Sequence, residues 1–417
     1  MPTPDDKVNL DNAPPFALVF LKGGVFGGIQ RKWANYMQWY NGFWEVRNAE
    51  RTPRENPYGD GETRANHVTS RNSQLQWACI VPSKDEQNMR EWFRGIEISF
   101  EFVDVGTRKD PSLLQWRGLI RKYRPVNVLE FRGPKAYRLM LTAWWLGVPS
   151  RCLAVVQETY SYGKKVNPWL RIKWHRWITH RTATKIHTIS PTAGKMYYPK
   201  RWAKGEVQTY RQPFNMSAFS PVESAQQKKQ LRLKWGLDPE KTYIGYTGRR
   251  VSVKNISLIL EAVGMLASER SNLGLMMAGK NIDKPAFRKR IEQEEPGVDV
   301  HLDNHVDDVA EFLRCLDYFI FPSLHEGQPF SLLEAMSCGI PVIASNISAH
   351  RYMTPSDFHN KLFDPHQPAQ AAEILRNLMD GKVDREAYIH LDWMNEQYDV
   401  NTNYRLISAV FGAPVPS

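Results

Sequence analysis

Glu326 and Glu334 stand eight positions apart in the run FPSLHEGQPFSLLEAMSCGIPVIAS, residues 321–345. The run reads as a short apolar strand, a Gly/Pro loop, a helix from about Ser331 and a stop at Cys338-Gly339 before a second strand, PVIAS. A loop that enters a helix presents unpaired N–H groups and the positive end of the helix dipole, an anion site suited to phosphate. Gly327, Phe330 and Ser331 belong to that turn. Carboxylates on either side accept hydrogen bonds from hydroxyls. Phosphate-binding amides between two hydroxyl acceptors suit a nucleotide-sugar. Ser331-x-x-Glu334 also spells a capping box, which would make Glu334 structural. Glu326, in the loop, has no such duty.

Two cations stand earlier in the same half. Gly248-Arg249 ends one expected strand and Lys254 opens the next helix. Arginine offers a rigid fork of donors and lysine a mobile point charge, a pair that suits a diphosphate; the plain alternative is two solvated loop-edge cations. Gly279-Lys280-Asn281 follows another strand. Near the start, Lys22-Gly23-Gly24-Val25-Phe26-Gly27-Gly28 follows the first strand, where glycine lets backbone approach a ligand closely or serves a tight strand-to-helix turn. The chain has no D-x-D motif, and its His and Cys residues fall at no metal-ligand spacing. The expectation is therefore a site without a metal or other cofactor, in which Arg249 and Lys254 neutralise the diphosphate.

The run HEGQPFSLLEAMSCGIPVIAS resembles the E-x7-E signature of retaining glycosyltransferase family 4, whose fold is GT-B. The flanking strand, the EAM-x-x-G-x-PVI pattern and the spacing agree together. The resemblance covers most of the chain and is densest from Leu231 to Ser345. It implies that Glu326 contacts the donor sugar hydroxyls and Glu334 the ribose. It makes Gly248, Arg249 and Lys254 the diphosphate-binding group and Gly279 a neighbouring turn. It sets His305 and Val306, at the end of HLDNHV, where the family's backbone receives the base. Gly27 and Gly28 become the Gly-Gly pair near phosphate and acceptor. Many family members carry a His after the strand that ends here in RCLAVV, whereas this chain has Gln157-Glu158. Glu158 could act as a base or acceptor ligand, or be an ordinary loop carboxylate among basic residues. Front-face attack, with the donor phosphate taking the acceptor proton, makes a protein base less necessary.

These residues need a scaffold that brings strand ends together. The 417 residues suggest two domains, and short apolar strands alternating with amphipathic helices indicate α/β units with parallel sheets. Expected strands are 16–21, 75–81, about 99–104, 126–131, 151–156 and 185–190 in the first half. The second half gives 242–248, 273–279, 298–302, 317–322 and 341–345, with helices near 254–268, 284–294, 306–315 and 331–338. A Pro/Ser-rich linker, RQPFNMSAFSPVESAQQ, lies between the halves. The predicted organisation is an acceptor-binding domain over 1–217, a nucleotide-sugar-binding domain over 218–383, and C-terminal helices over 384–417. By resemblance, the last helix crosses back to the first domain. The predicted fold is thus GT-B: two doubly wound Rossmann-like domains facing a central cleft, with ligands at the strand C-termini.

Composition narrows the setting. A hydrophobic content of 42% supports real cores. The net charge is +11, and residues 151–211 hold thirteen Lys/Arg against two acids, so the rest sums to neutral. Trp169, Trp174, Trp177, Tyr197, Tyr198 and Trp202 share that stretch. A basic, aromatic surface suits an anionic membrane or nucleic acid; the plain reading is a solvated face with buried tryptophans. MPTPDDKVNLDNAPP lacks a signal pattern, the run LMLTAWWLGV is too short to span a bilayer, and the four cysteines form no framework. These point to a cytoplasmic protein, peripheral on a membrane's inner face if the basic stretch docks there. The expected activity is transfer of a sugar from a nucleotide-diphosphate sugar to a glycan or lipid-linked acceptor hydroxyl. The rivals are a nucleic-acid glycosyltransferase and a non-catalytic nucleotide-sugar binder.

Overall fold

The computed structural model describes residues 16–20, 76–82, 99–103, 111–156, 168–211, 214, 216, 219–294, 297–398 and 405. They divide into two compact units, the second starting at Phe214.

The first unit holds a seven-stranded parallel sheet in the order β3-β2-β1-β4-β5-β6-β7. Its strands are β1 (Phe16–Phe20), β2 (Gln76–Pro82), β3 (Ser99–Val103), β4 (Asn127–Glu130), β5 (Ser150–Val155), β6 (Lys185–Thr188) and β7 (Val207–Thr209). Helices α1 (Leu113–Tyr123), α2 (Tyr137–Trp145) and α3 (Pro168–Thr182) follow β3, β4 and β5, and α2 packs against both neighbours. Ser112 and Gln115 close a capping box on α1.

The second unit is the smaller doubly wound sheet, parallel throughout, in the order β10-β9-β8-β11-β12. Its strands are β8 (Thr242–Thr247), β9 (Leu273–Ala278), β10 (Asp299–Asp303), β11 (Tyr318–Phe321) and β12 (Val342–Ala344). Helices cover both faces, so inner strands read as continuous apolar runs: all six residues of β9 are buried. Helix α5 (Ile256–Ala267) follows β8, α6 (Phe330–Ser337) follows β11 and α7 (Ser348–Tyr352) follows β12. Helix α8 (Leu391–Gln397) packs on α6 and adds Met394 to the same core. The crossing-back expected of the last helix lies outside the described residues.

A buried arginine staples the N-terminal edge of this sheet. Arg232, on α4 (Ala225–Lys234), donates to the carbonyls of Cys315, Pro239 and Lys241 at 3.0 Å each and to Asp317 at 2.5 Å. Lys228 donates to the other oxygen of Asp317 at 2.6 Å, and the Tyr243 N–H also donates to that carboxylate. Six hydrogen bonds thus fix the starts of β8 and β11 together. The C-terminal edges are left to a different task.

Candidate active site

In this strand order the chain leaves β8 toward β9 on one side and returns through β11 on the other. The C-terminal ends of β8 and β11 therefore flank a topological switch point, where open α/β sheets bind ligands. Arg249 and Lys254 come from the loop after β8, and Glu326 comes from the loop after β11.

Those two loops are stitched to each other. A single 3-10 turn, Ser252–Lys254, ends at Asn255, whose backbone is left-handed with φ 53°. Asparagine tolerates that conformation because its short amide can bond locally. Here the Asn255 amide donates to the carbonyls of Pro365 at 2.7 Å and Pro322 at 3.3 Å. The Leu324 N–H donates to the Val253 carbonyl at 2.8 Å. So held, the Lys254 ammonium donates to Glu326 Oε1 at 2.5 Å, with the two side chains only 15% and 12% exposed. The same ammonium lies 4.8 Å from the ring centre of Phe321, the last residue of β11.

Phe321 is the floor beneath this pair. The Tyr246 ring stacks on it at 5.9 Å and the His350 ring lies 5.4 Å away. Burial pushes the Tyr246 phenol far above its ordinary value; nearby Glu326 adds to the rise and Arg249 opposes it. Its hydroxyl has no hydrogen-bond partner among the described residues. His350, on α7, is wholly buried, and burial lowers its pKa to about 4 against the pull of Glu326. The Nδ1 of this neutral ring lies 2.7 Å from the Ser345 carbonyl, to which it donates as N–H, leaving Nε2 the acceptor nitrogen. Sequence reading passed over both residues. Tyr246 sits in an apolar strand and His350 in a short helix, and neither carries a motif.

Backbone alone lines the neighbouring strand ends. Gly248 has φ 157° and Gly279 has φ 134°. A Cβ on Gly279 would collide with the Gly248 carbonyl, and one on Gly248 would collide with the Tyr246 hydroxyl. The Gly248 N–H donates to the Ala278 carbonyl and the Gly279 N–H to the Asp303 carbonyl, each at 2.8 Å. Three strand ends are thereby drawn flush, and only glycine fits where they touch. Arg249 projects from this edge and is exposed. Arg250, by contrast, donates to the Asn281 carbonyl at 2.8 Å and lies over the Phe287 ring, a packing role.

The E-x7-E turn differs from its sequence reading in one respect. Helix α6 starts at Phe330 with Pro329 as its cap residue, and no side chain caps it. Ser331 therefore lies inside the first turn, and the Ser331–Glu334 capping box does not form. Glu334 sits half-buried in the second turn, and Gly327 and Ser331 are also half-buried. Farther along the edge, His305 is exposed beside Asp307 at 3.4 Å, and its N–H donates to Asp303. Val306 packs on the core. Gly27, Gly28, Gln157 and Glu158 lie outside the described residues. Among the described residues no group of three His, Cys, Asp or Glu could hold a metal ion, and no helix is long and apolar enough to cross a membrane.

Residues 227–390, which include Arg249, Lys254, Glu326 and Glu334, match the family model described as Glycosyl transferases group 1. The chain is 24% identical over 226 residues to the D-inositol 3-phosphate glycosyltransferase of Jonesia denitrificans, covering 51% of this chain and 53% of that protein. It is 27% identical over 183 residues to the lipopolysaccharide core biosynthesis mannosyltransferase LpsB of Rhizobium meliloti, covering 42% and 49%. The chain thus spans about half the length of the curated relatives it matches. Its structure resembles that of Anabaena HepE in complex with UDP-glucose, with a TM-score of 0.69 at 13% identity over 96% of this chain and 100% of that one. A likeness at that identity establishes the fold, which is GT-B.

Proposed function

We propose that this chain is a retaining, metal-independent glycosyltransferase. It moves a sugar from a nucleotide-diphosphate sugar to a hydroxyl of a glycan or lipid-linked acceptor in cell-envelope synthesis. The observation that carries the reading is the Lys254–Glu326 pair, 2.5 Å apart at the switch point between β8 and β11, with Arg249 free to solvent beside it. A diphosphate lying over the bare Gly248–Gly279 edge meets Arg249 and Lys254, which offset the charge that develops as the leaving group departs. Lys254 has three donor hydrogens, so holding Glu326 leaves two for phosphate oxygens. Glu326, fixed by that bond, accepts from the donor sugar's hydroxyls, and Glu334 accepts from the ribose.

The chemistry is a same-face substitution. The bond from the anomeric carbon to the phosphate oxygen breaks, the acceptor oxygen bonds to the same face of that carbon, and the acceptor proton passes to the departing phosphate oxygen. The resemblance to a retaining family and the lipopolysaccharide relative support the stereochemistry and the acceptor class. A thermal-shift screen of UDP-, GDP- and ADP-sugars identifies the donor, since ligand at 100 times its dissociation constant adds about 2.7 kcal/mol. NMR of the fresh product, formed in excess EDTA, then tests the reading. An α-linked product from an α-linked donor is expected. An inverted product, or activity restored only by added Mg²⁺ or Mn²⁺, would overturn it.

A further inference from the structure

Tyr246, the next-to-last residue of β8, is completely buried, and its hydroxyl has no hydrogen-bond partner among the described residues. A buried tyrosine hydroxyl ordinarily finds a partner, and one left unpaired costs stability. Phenylalanine would fill the same space without that cost. An orphaned group of this kind calls for a role outside the resting structure.

The phenol is fixed, and its tip stands at the site. The ring stacks on Phe321 with planes 21° apart, and the same Phe321 ring carries the Lys254 ammonium at 4.8 Å. The Tyr246 oxygen occupies the space that a Cβ on Gly248 would need, so it ends directly behind the bare Gly248–Gly279 edge. Burial keeps the phenol protonated at any working pH, and it therefore offers its proton to an acceptor within reach. Two charges act on it, Glu326 and Arg249. Arginine has only donors, so Glu326 is the one that can accept. Lys254 holds Glu326 by Oε1, which leaves Oε2 to take a second bond.

Donor binding, on the reading proposed above, disturbs the resting pair. A diphosphate at the Gly248–Gly279 edge attracts the Lys254 ammonium and repels the Glu326 carboxylate. Repulsion drives the carboxylate inward, toward the phenol. A neutral donor suits that place. It holds a carboxylate by a charge-assisted bond and adds no further charge to a partly buried site.

We infer that Tyr246 is a positioning residue for the donor: its hydroxyl donates to Glu326 when the diphosphate engages Lys254, and so keeps the carboxylate in register with the sugar. The inference rests on the donor site proposed above. The test uses the full chain, with UDP, GDP and ADP and the sugar nucleotide that the thermal-shift screen selects. In Tyr246→Phe, the kcat for release of nucleoside diphosphate from that sugar nucleotide should fall about ten- to a hundredfold, with KM at its wild-type value. Nucleoside diphosphate affinity should also stay at its wild-type value. The melting temperature should not fall, because the variant loses only an unpaired hydroxyl. Tyrosine labelled with ¹³C at Cζ gives a second readout. The Tyr246 signal, identified by its loss in Tyr246→Phe, should move when nucleoside diphosphate saturates wild type and stay still in Glu326→Ala. Wild-type kcat in Tyr246→Phe overturns the inference alone. So does a signal that ignores the ligand, or one that moves equally in Glu326→Ala, which would send the proton to the phosphate instead. A wild type that binds none of the three nucleoside diphosphates overturns the proposed function and this inference together.

Discussion

Lys254 and Glu326 lie seventy-two residues apart in the chain and 2.5 Å apart in space, each more than four-fifths buried. Neither charge is well solvated, so each depends on the other. Removing one leaves the other an uncompensated ion, which costs roughly 2–3 kcal/mol in a site that water still reaches. Lys254→Met and Glu326→Gln should each reduce transfer by about 100-fold or more. The double variant should recover much of the melting temperature that Lys254→Met loses, and none of the activity. A loss of melting temperature in the double variant equal to or greater than the sum of the two single losses would contradict the coupling.

Arg249 is predicted to read phosphate and nothing else. Charge-assisted hydrogen bonds contribute roughly 1.5–3 kcal/mol, so Arg249→Ala should weaken nucleoside diphosphate binding by about ten- to a hundredfold. Affinity for the free nucleoside should barely change. Calorimetry that finds the same loss for both ligands would assign Arg249 a different role.

Gly279 is predicted to be irreplaceable, even by alanine. Its φ of 134° and the closeness of the Gly248 carbonyl leave no room for a methyl group. The backbone must shift, at a cost of about 1–3 kcal/mol, and the loop bearing Arg249 shifts with it. Gly279→Ala should lower the melting temperature by a few degrees and weaken diphosphate binding at least about tenfold. Gly381, whose added Cβ would meet nothing within contact distance, is the control: Gly381→Ala should leave diphosphate binding unchanged.

His350 sets an acid limit. Its pKa is lowered by burial to about 4, from about 6.5 in an unfolded chain. Between those values the unfolded state binds a proton that the native state refuses, so stability falls as pH drops from about 6.5 toward 4. The loss approaches about 3 kcal/mol by the lower end. His390, lowered to about 4 by its own burial, adds to the slope. His350→Gln should flatten the fall in melting temperature across that window. A slope identical to wild type would show that other groups cause it.

Much of the scaffold was legible because buried parallel strands are written as unbroken apolar runs. Each of the five strands in the second sheet was read to within a residue or so at either end, and Gly or Pro punctuates most of their edges. Strand β7 was missed, since three residues beside a turn carry no period. At the site, Glu326 could be named because a loop carboxylate before a helix has few structural duties, and Lys254 because its spacing from Gly248-Arg249 resembles a diphosphate-binding pair; the fold brings the two side chains together. Ser331-x-x-Glu334 spells a cap by its residue types, but the cap residue is Pro329, two positions earlier, so the pattern falls inside the first turns of α6. Tyr246 and His350 were invisible for a physical reason. Whether a phenol or imidazole inside an apolar segment ends at a charged pair depends on which strand ends meet, and no local pattern encodes it. Trp144 and Trp145 were read as part of an apolar run, yet the fold turns them outward.

The Arg232 staple sits at the opposite end of β8 from Arg249, one strand-length of about 20 Å away. Sites so far apart with no shared partners behave additively. If the proposed donor site is right, robustness and donor preference are separable traits in this unit, set at different ends of the same strands. A lineage could drift in which sugar it handles by altering the loops after β8, β9 and β11, while the clasp around Asp317 keeps the sheet assembled through the change.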